Sequence, residues 1–276
     1  FKDKEADVKR LFEEKLFDLI GQPHRKVPSK TLATEVVNHL FSRLVNNDIS
    51  PELLRIYHKW LDSNTYSKEL QDYIDAFKID PQLNSWNVHP DHCFTAIDKQ
   101  QLLQITASFR NKEFVKEKLQ KLYHRIKSRK AVHFVPQWWA DVVTLFEFDN
   151  KPLAHCNSLD KVTDFYTSSF CKVDRAIRNI YTSFLQEDSI VRPLQEHYDS
   201  LNHEPLQHWF DCSSAYHSNQ QGYLPKLITQ AKPGVAIIVG DGVRYEIAAF
   251  IASQLENKCK VSLDTMYADM PSETEH

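Results

Sequence analysis

Glycine is scarce in this chain and unevenly placed, and that restricts its fold more than any other feature. Five glycines occur in 276 residues. Residues 1–230 hold only Gly21 and Gly222, so left-handed backbone and sharp reversals are seldom available there. Apolar residues over the same range recur at helical spacing. Leu11, Leu16, Leu19 and Ile20 begin the series, and Leu32, Val36, Val37, Leu40, Phe41 and Leu44 resume it after a break from Gly21 to Pro28. Ser50-Pro51-Glu52 reads as a helix start, with proline at the first helical position where its missing N–H costs nothing. The same spacing predicts helices over 67–79, 99–109, 111–128, 137–147, 158–169, 172–185, 188–201 and 205–230. No fixed-period repeat is present, which points to an irregular bundle and not a stacked solenoid.

Punctuation divides the chain into three parts. The stretch Asp80–Asp98 is rich in Pro, Asn and His and reads as a loop between a helical subdomain at 1–90 and another at 91–230. Ala231-Lys-Pro-Gly234 opens a third segment, 231–276, of different character. Composition is 42% apolar and 26% charged, with a formal net charge of −3, which gives no electrostatic ground for nucleic-acid or membrane binding by the chain as a whole. The five cysteines, Cys93, Cys156, Cys171, Cys212 and Cys259, are odd in number and show no CxxC spacing. They suit buried thiols in a reducing cytoplasm better than a disulfide framework. No apolar run approaches the ~20 residues of a membrane span.

In the third segment, Val235-Ala-Ile-Ile-Val239 reads as a strand covered on both faces, as in parallel α/β sheets. Gly240 and Gly242 flank Asp241, so the carboxylate would stand at the strand's carboxyl end, where open α/β sheets place ligands. Val243, Ile247, Phe250, Ile251 and Leu255 predict a helix, and Cys259–Tyr267 a second strand. Met270-Pro-Ser-Glu-Thr-Glu-His276 follows as a hydroxyl-bearing loop. A right-handed crossover would bring Asp241 and the Ser272/Thr274 loop to one sheet edge, an arrangement suited to a metal-activated nucleophile.

Val239-Gly-Asp-Gly-Val-Arg-Tyr-Glu246 resembles the opening motif of the PglZ family, in which a strand leads into Asp, a small residue, a Leu-like residue, Arg, Tyr and Glu. Pro271-Ser-Glu-Thr274 is similar to that family's Pro-Ser-x-Thr element. Where the family has Asp-Ala-Leu-Arg this chain has Asp-Gly-Val-Arg, a change conservative in size. The resemblance covers only the C-terminal part of the chain. It implies a mainly helical region followed by the start of an α/β domain of the alkaline-phosphatase superfamily. The implied activity is that of a metal-dependent phosphatase or phosphodiesterase of a bacterial anti-phage system of the bacteriophage-exclusion type. By the same resemblance Asp241 is a metal ligand, Thr274 the nucleophile and a metal ligand, Ser272 the preceding hydroxyl on the substrate side, and Arg244 a phosphate-binding group. The implied cofactor is a pair of divalent metal ions, zinc foremost. Implied partners are other bacteriophage-exclusion proteins and a phosphate ester or nucleic acid substrate, with no membrane.

Members of that superfamily collect further Asp and His ligands beyond the nucleophile loop, whereas this chain stops two residues after Thr274 and starts at Phe1. It is therefore expected to be a truncated piece, inactive alone, because a catalytic metal needs three or more protein ligands. Other readings compete. Asp241 could cap the next helix, and Arg244 and Glu246 could cap and solvate its first turn. His89-Pro-Asp-His-Cys93 is expected as a surface loop, not a metal site, and Arg125-Ile-Lys-Ser-Arg-Lys130 as a helix end complementing the carbonyl dipole. Trp138, Trp139, Phe134, Phe146 and Phe148 are expected in the core. Asp160, Asp164, Asp174 and Glu187 are expected on solvated helix faces. Gly-Asp-Gly lacks both GxGxxG and the Walker lysine, which argues against nucleotide binding. The alternative to an enzyme is a non-catalytic helical scaffold for other defence proteins.

Overall fold

A computed structural model describes residues 4–63, 67–218, 220, 222–231, 233–240 and 242–268. Among these the chain is mainly helical and contains no strand. It divides into two compact units, Phe1–Trp139 and Ala140–His276, a division that coincides with neither 90/91 nor 230/231.

The first unit contains α1 (Lys4–Leu19), α2 (Ser29–Val45), α3 (Pro51–Leu61), α4 (Ser67–Ala76), α5 (Thr95–Ala107) and α6 (Lys112–Ile126). The predicted break after α1 is a left-handed turn. Gly21 has φ +66° and the Gln22 amide donates to the Phe17 carbonyl at 2.9 Å, closing the helix end. One face of α2 supplies Val37, Leu40, Phe41 and Leu44 to a buried cluster with Leu53, Tyr57, Leu70, Phe94 and Ile97. Phe41 lies at its centre, edge-on to Phe77 and Phe94 with ring centroids 5.4 and 5.1 Å away. The Ser50 hydroxyl accepts from the Leu53 amide at 3.3 Å, the cap that the Ser-Pro-Glu start called for.

Two expectations are corrected here. The segment His89–Cys93 is not a surface loop, since His92 and Cys93 are buried and Cys93 belongs to the central cluster. Nor does Arg125 complement helix carbonyls from the surface, for it is 3% exposed and turned inward. Its Nε and Nη2 donate to the two Asp98 oxygens at 3.1 and 3.0 Å. Nη1 donates to the Pro90 and His92 carbonyls at 2.9 and 2.6 Å, and Nη2 also to the Phe134 carbonyl at 2.8 Å. The Trp139 indole adds a bond to Asp98 at 2.9 Å. All five guanidinium N–H groups thus have acceptors, and three of these are backbone carbonyls, of Pro90 and His92 in a loop and of Phe134 at the end of the short 3-10 turn Val132–Phe134.

The second unit contains most of α7 (Trp138–Glu147), α8 (Leu159–Phe165), a π-helical turn at Tyr166–Phe170, α9 (Cys171–Phe184), α10 (Asp188–Asp211), α11 (Tyr223–Gln230) and α12 (Tyr245–Leu255). Val162, Phe165, Phe170, Val173, Ile177, Ile180, Ile190 and Leu194 form its interior. α10 continues through Pro205, where a helix start was predicted. Proline at 205 leaves the Leu201 carbonyl without its intrahelical donor, and Asn150 Nδ2 fills the place at 2.9 Å. The expected strand 235–239 has no ladder partner among the described residues, and Ile238 is 93% exposed. An apolar strand gains stability only from neighbours on its edges and cover on its faces, and the described residues supply neither. The segment 259–267 is likewise without strand pairing.

Replacing Arg125 with Met should cost about 3–5 kcal/mol in denaturant unfolding, because Asp98 would be left buried and uncompensated. A second outcome concerns pH. Burial, reinforced by Arg125, holds His92 well below the ordinary imidazole value of 6.5. The unfolded chain therefore binds this proton first as pH falls, so the contribution is intact above about 6.5 and is lost below it, at up to ~1.4 kcal/mol per pH unit. His39 and His89, also lowered by burial, act in the same direction. Melting curves between pH 7 and 5 should show a shallower acid loss in His92→Asn than in the parent.

Candidate functional site

The π-helical turn at Tyr166–Phe170 interrupts an otherwise continuous helical run from α8 into α9, and such turns concentrate at functional positions. Tyr166 uses it to reach along the run to Asp174, donating its hydroxyl proton to Oδ2 at 2.8 Å. Tyr198 of α10 donates to Oδ1 at the same distance. Asp174 is buried, and both its oxygens accept, the pattern of an ionised carboxylate. Burial pushes its carboxyl above the ordinary range, while the two phenols pull it back down. The phenols are themselves driven far upward, first by burial and then by the Asp174 charge, so both stay protonated.

A second carboxylate lies beside the first. Glu246, in the first turn of α12, is 2% exposed, whereas Ile247, Phe250, Ile251 and Leu255 of the same helix are exposed. Its Oε1 stands 2.7 Å from Arg178 Nε, close enough for an ion pair but misaligned for a hydrogen bond. Its Oε2 is 3.4 Å from the Tyr166 hydroxyl, a weak contact since that proton serves Asp174. Arg175 covers the Phe250 ring at 3.8 Å.

Asp174, Tyr166 and Tyr198 border a cavity of about 560 Å³ within the second unit, walled also by residues of α8, the π turn, α10 and the start of α12. Phe165, Phe170, Trp209, Phe210 and Tyr245 give it an aromatic surface, and Asp174 and Arg244 contribute its charged side chains. Thr265, Met266 and Tyr267, from the segment expected as a second strand, line it as well.

Of the residues singled out in the sequence, Arg244 therefore borders the cavity. Asp241, Ser272 and Thr274 lie outside the described residues. Among the described residues no group of three or more His, Cys, Asp or Glu side chains is gathered to hold a metal ion. Asp160 and Asp164 are exposed as expected, but Asp174 is not on a solvated face. A signal for it existed, since Asp174 lies one α-turn from Phe170, Ile177 and Arg178 and so falls on the apolar stripe of α9 with Val173 and Ala176. Glu246 departs from a solvated cap for a similar reason, standing in a helix that packs on α9 beside Arg178.

Substituting Tyr198 with Phe should lower stability by about 1–3 kcal/mol at neutral pH, since one oxygen of a buried carboxylate loses its donor. The loss, read by urea unfolding, should shrink on acidification as the Asp174 carboxyl takes up a proton. No protein-family model, curated protein or solved structure matches this chain.

Proposed function

We propose that this chain contributes to a PglZ-type, metal-dependent phosphatase or phosphodiesterase of a bacterial anti-phage defence system. The support is the order and character of the two C-terminal motifs, Val239–Glu246 and Pro271–Thr274, together with the position of Arg244. Of the four proposed site residues Arg244 is the one among the described residues; it borders an aromatic cavity, is exposed and, among the described residues, is without an ion pair. A guanidinium so placed can meet a phosphate ester through two parallel N–H bonds.

In this reading Asp241 and Thr274 would hold a divalent metal of the zinc type, which supplies Lewis acidity toward the phosphoryl group and the nucleophile. The Thr274 hydroxyl would form the new bond to phosphorus as the ester oxygen departs, Ser272 would orient the substrate, and Arg244 would offset the phosphoryl charge. In the full-length protein, Thr274→Ala should abolish metal-dependent release of p-nitrophenol from bis(p-nitrophenyl) phosphate. Arg244→Ala should weaken apparent substrate binding about tenfold, the worth of a charge-assisted hydrogen bond. Full turnover by the Thr274 variant would remove the assignment.

One observation favours a second reading, a non-catalytic scaffold for other defence proteins. α12 exposes Ile247, Phe250, Ile251 and Leu255, and α11 exposes Tyr223, Leu224, Leu227 and Ile228. Faces of this kind suit protein contacts. Calorimetry showing no uptake of zinc or manganese by a full-length protein that still captures its defence partners would decide for the scaffold.

A further inference from the structure

The cavity of the second unit has a polarity that phosphate chemistry at Arg244 does not use. Tyr166 and Tyr198 each carry one hydroxyl proton, and each spends it on Asp174. A carboxylate with two such partners retains lone pairs but offers no proton, and the phenol oxygens are left with lone pairs alone. Any polar group that meets this floor must donate. The buried Glu246 carboxylate behind Tyr166, whose Oε1 has no aligned hydrogen bond, adds further negative charge. Its partner Arg178 is 42% exposed, so that positive charge is partly given over to solvent. The same cavity is bordered by the exposed Arg244 and by the aromatic side chains of Trp209 and Tyr245.

Three classes of occupant can be compared on these terms. A lone anion would meet Arg244 but be repelled by two buried carboxylates. A lone cation would suit the carboxylates and the aromatic faces but be repelled by Arg244. A neutral aromatic molecule would stack well and leave both charges unmet. A molecule with separated opposite charges satisfies all three surfaces. We infer that this cavity binds a small zwitterion, its N–H-bearing ammonium group at the Asp174, Tyr166 and Tyr198 floor and its anionic group at Arg244. The site goes beyond the proposed phosphoester hydrolysis and does not depend on it, because it requires neither metal nor Thr274.

Two sources share this chemistry, phosphorylated amines and amino acids, and separate titrations distinguish them. The whole chain, without added metal, would be titrated calorimetrically with O-phosphoethanolamine, γ-aminobutyrate, phosphocholine and ethyl phosphate. At least one of the first two should bind with a Kd on the order of 1 mM or tighter. Whichever binds should do so at least about tenfold more tightly than phosphocholine, which has no N–H, and than ethyl phosphate, which has no cation. Arg244→Ala, at an exposed position where folding is not at stake, and Asp174→Asn should each weaken that binding by about tenfold or more. If circular dichroism shows the Asp174 variant unfolded, the Arg244 variant carries the test alone. Binding of neither ammonium probe, equal binding of ethyl phosphate, tighter binding of phosphocholine, or an Arg244 variant of undiminished affinity would overturn the assignment. Thr274→Ala should leave ammonium-probe binding unchanged, so failure of the hydrolase reading and failure of this one are separately visible.

Discussion

The Arg125 guanidinium organises the first unit. A charge taken out of water is costly unless its whole hydrogen-bonding capacity is met, and here five donors meet five acceptors. Two belong to Asp98, which neutralises it, and three are the backbone carbonyls of Pro90, His92 and Phe134. The Pro90 and His92 carbonyls are thereby satisfied at the edge of the core, where Cys93 and Phe94 join the cluster around Phe41. Burial then accounts for the chemistry of the loop. The Cys93 thiol is pushed up to about 12, and His92 stays neutral with Nδ1 accepting from the Phe94 amide at 3.2 Å. A His-x-x-His-Cys string that could suggest a metal ligand set is engaged in holding backbone.

The second unit handles buried charge differently. Asp174 is matched by two phenols, but Glu246 is met by an arginine that approaches without alignment and by a phenol already committed elsewhere. The contrast separates structure from function. A buried network whose members are all satisfied stabilises, whereas a partly satisfied one costs free energy and persists where it serves another purpose. Here the incomplete network sits beside a cavity with an aromatic wall, and a π-helical turn sets the position of one of its members.

Much of this architecture can be read from the residues, within limits that have physical causes. Helices over 29–45, 51–61, 112–126 and 171–184 follow from apolar spacing, and the second and third also from their Ser50 and Asn111 caps, signals that are short-range and visible in a window of a few residues. The continuation of α10 through Pro205 depends on Asn150, remote in sequence, donating to the freed Leu201 carbonyl, and no local pattern announces such a donor. The inward turn of Arg125 depends in the same way on Asp98 and Trp139. Within the candidate site, the motif singles out Arg244, which borders the cavity, while helical pattern places Asp174 on a solvated face and leaves Glu246 as one possible cap, because a carboxylate on a helix is usually exposed. Their burial follows from which helix faces meet, information carried by tertiary contacts.

The residues 235–239 show how far a local pattern can determine structure. Val-Ala-Ile-Ile-Val has high β propensity, yet propensity in strands mainly reflects fit to a pleated, covered surface supplied by neighbours. Among the described residues no such neighbour pairs with it, and Val235, Ile238 and Val239 remain more than half exposed. α12, which follows, differs because a helix closes its own hydrogen bonds and needs only one contact face. Its contacts with α9 include Glu246 against Arg178 and Phe250 under Arg175, while Ile247, Ile251 and Leu255 remain exposed. Arg244 immediately precedes these contacts, so the helix that anchors Glu246 also fixes where the guanidinium can stand at the cavity.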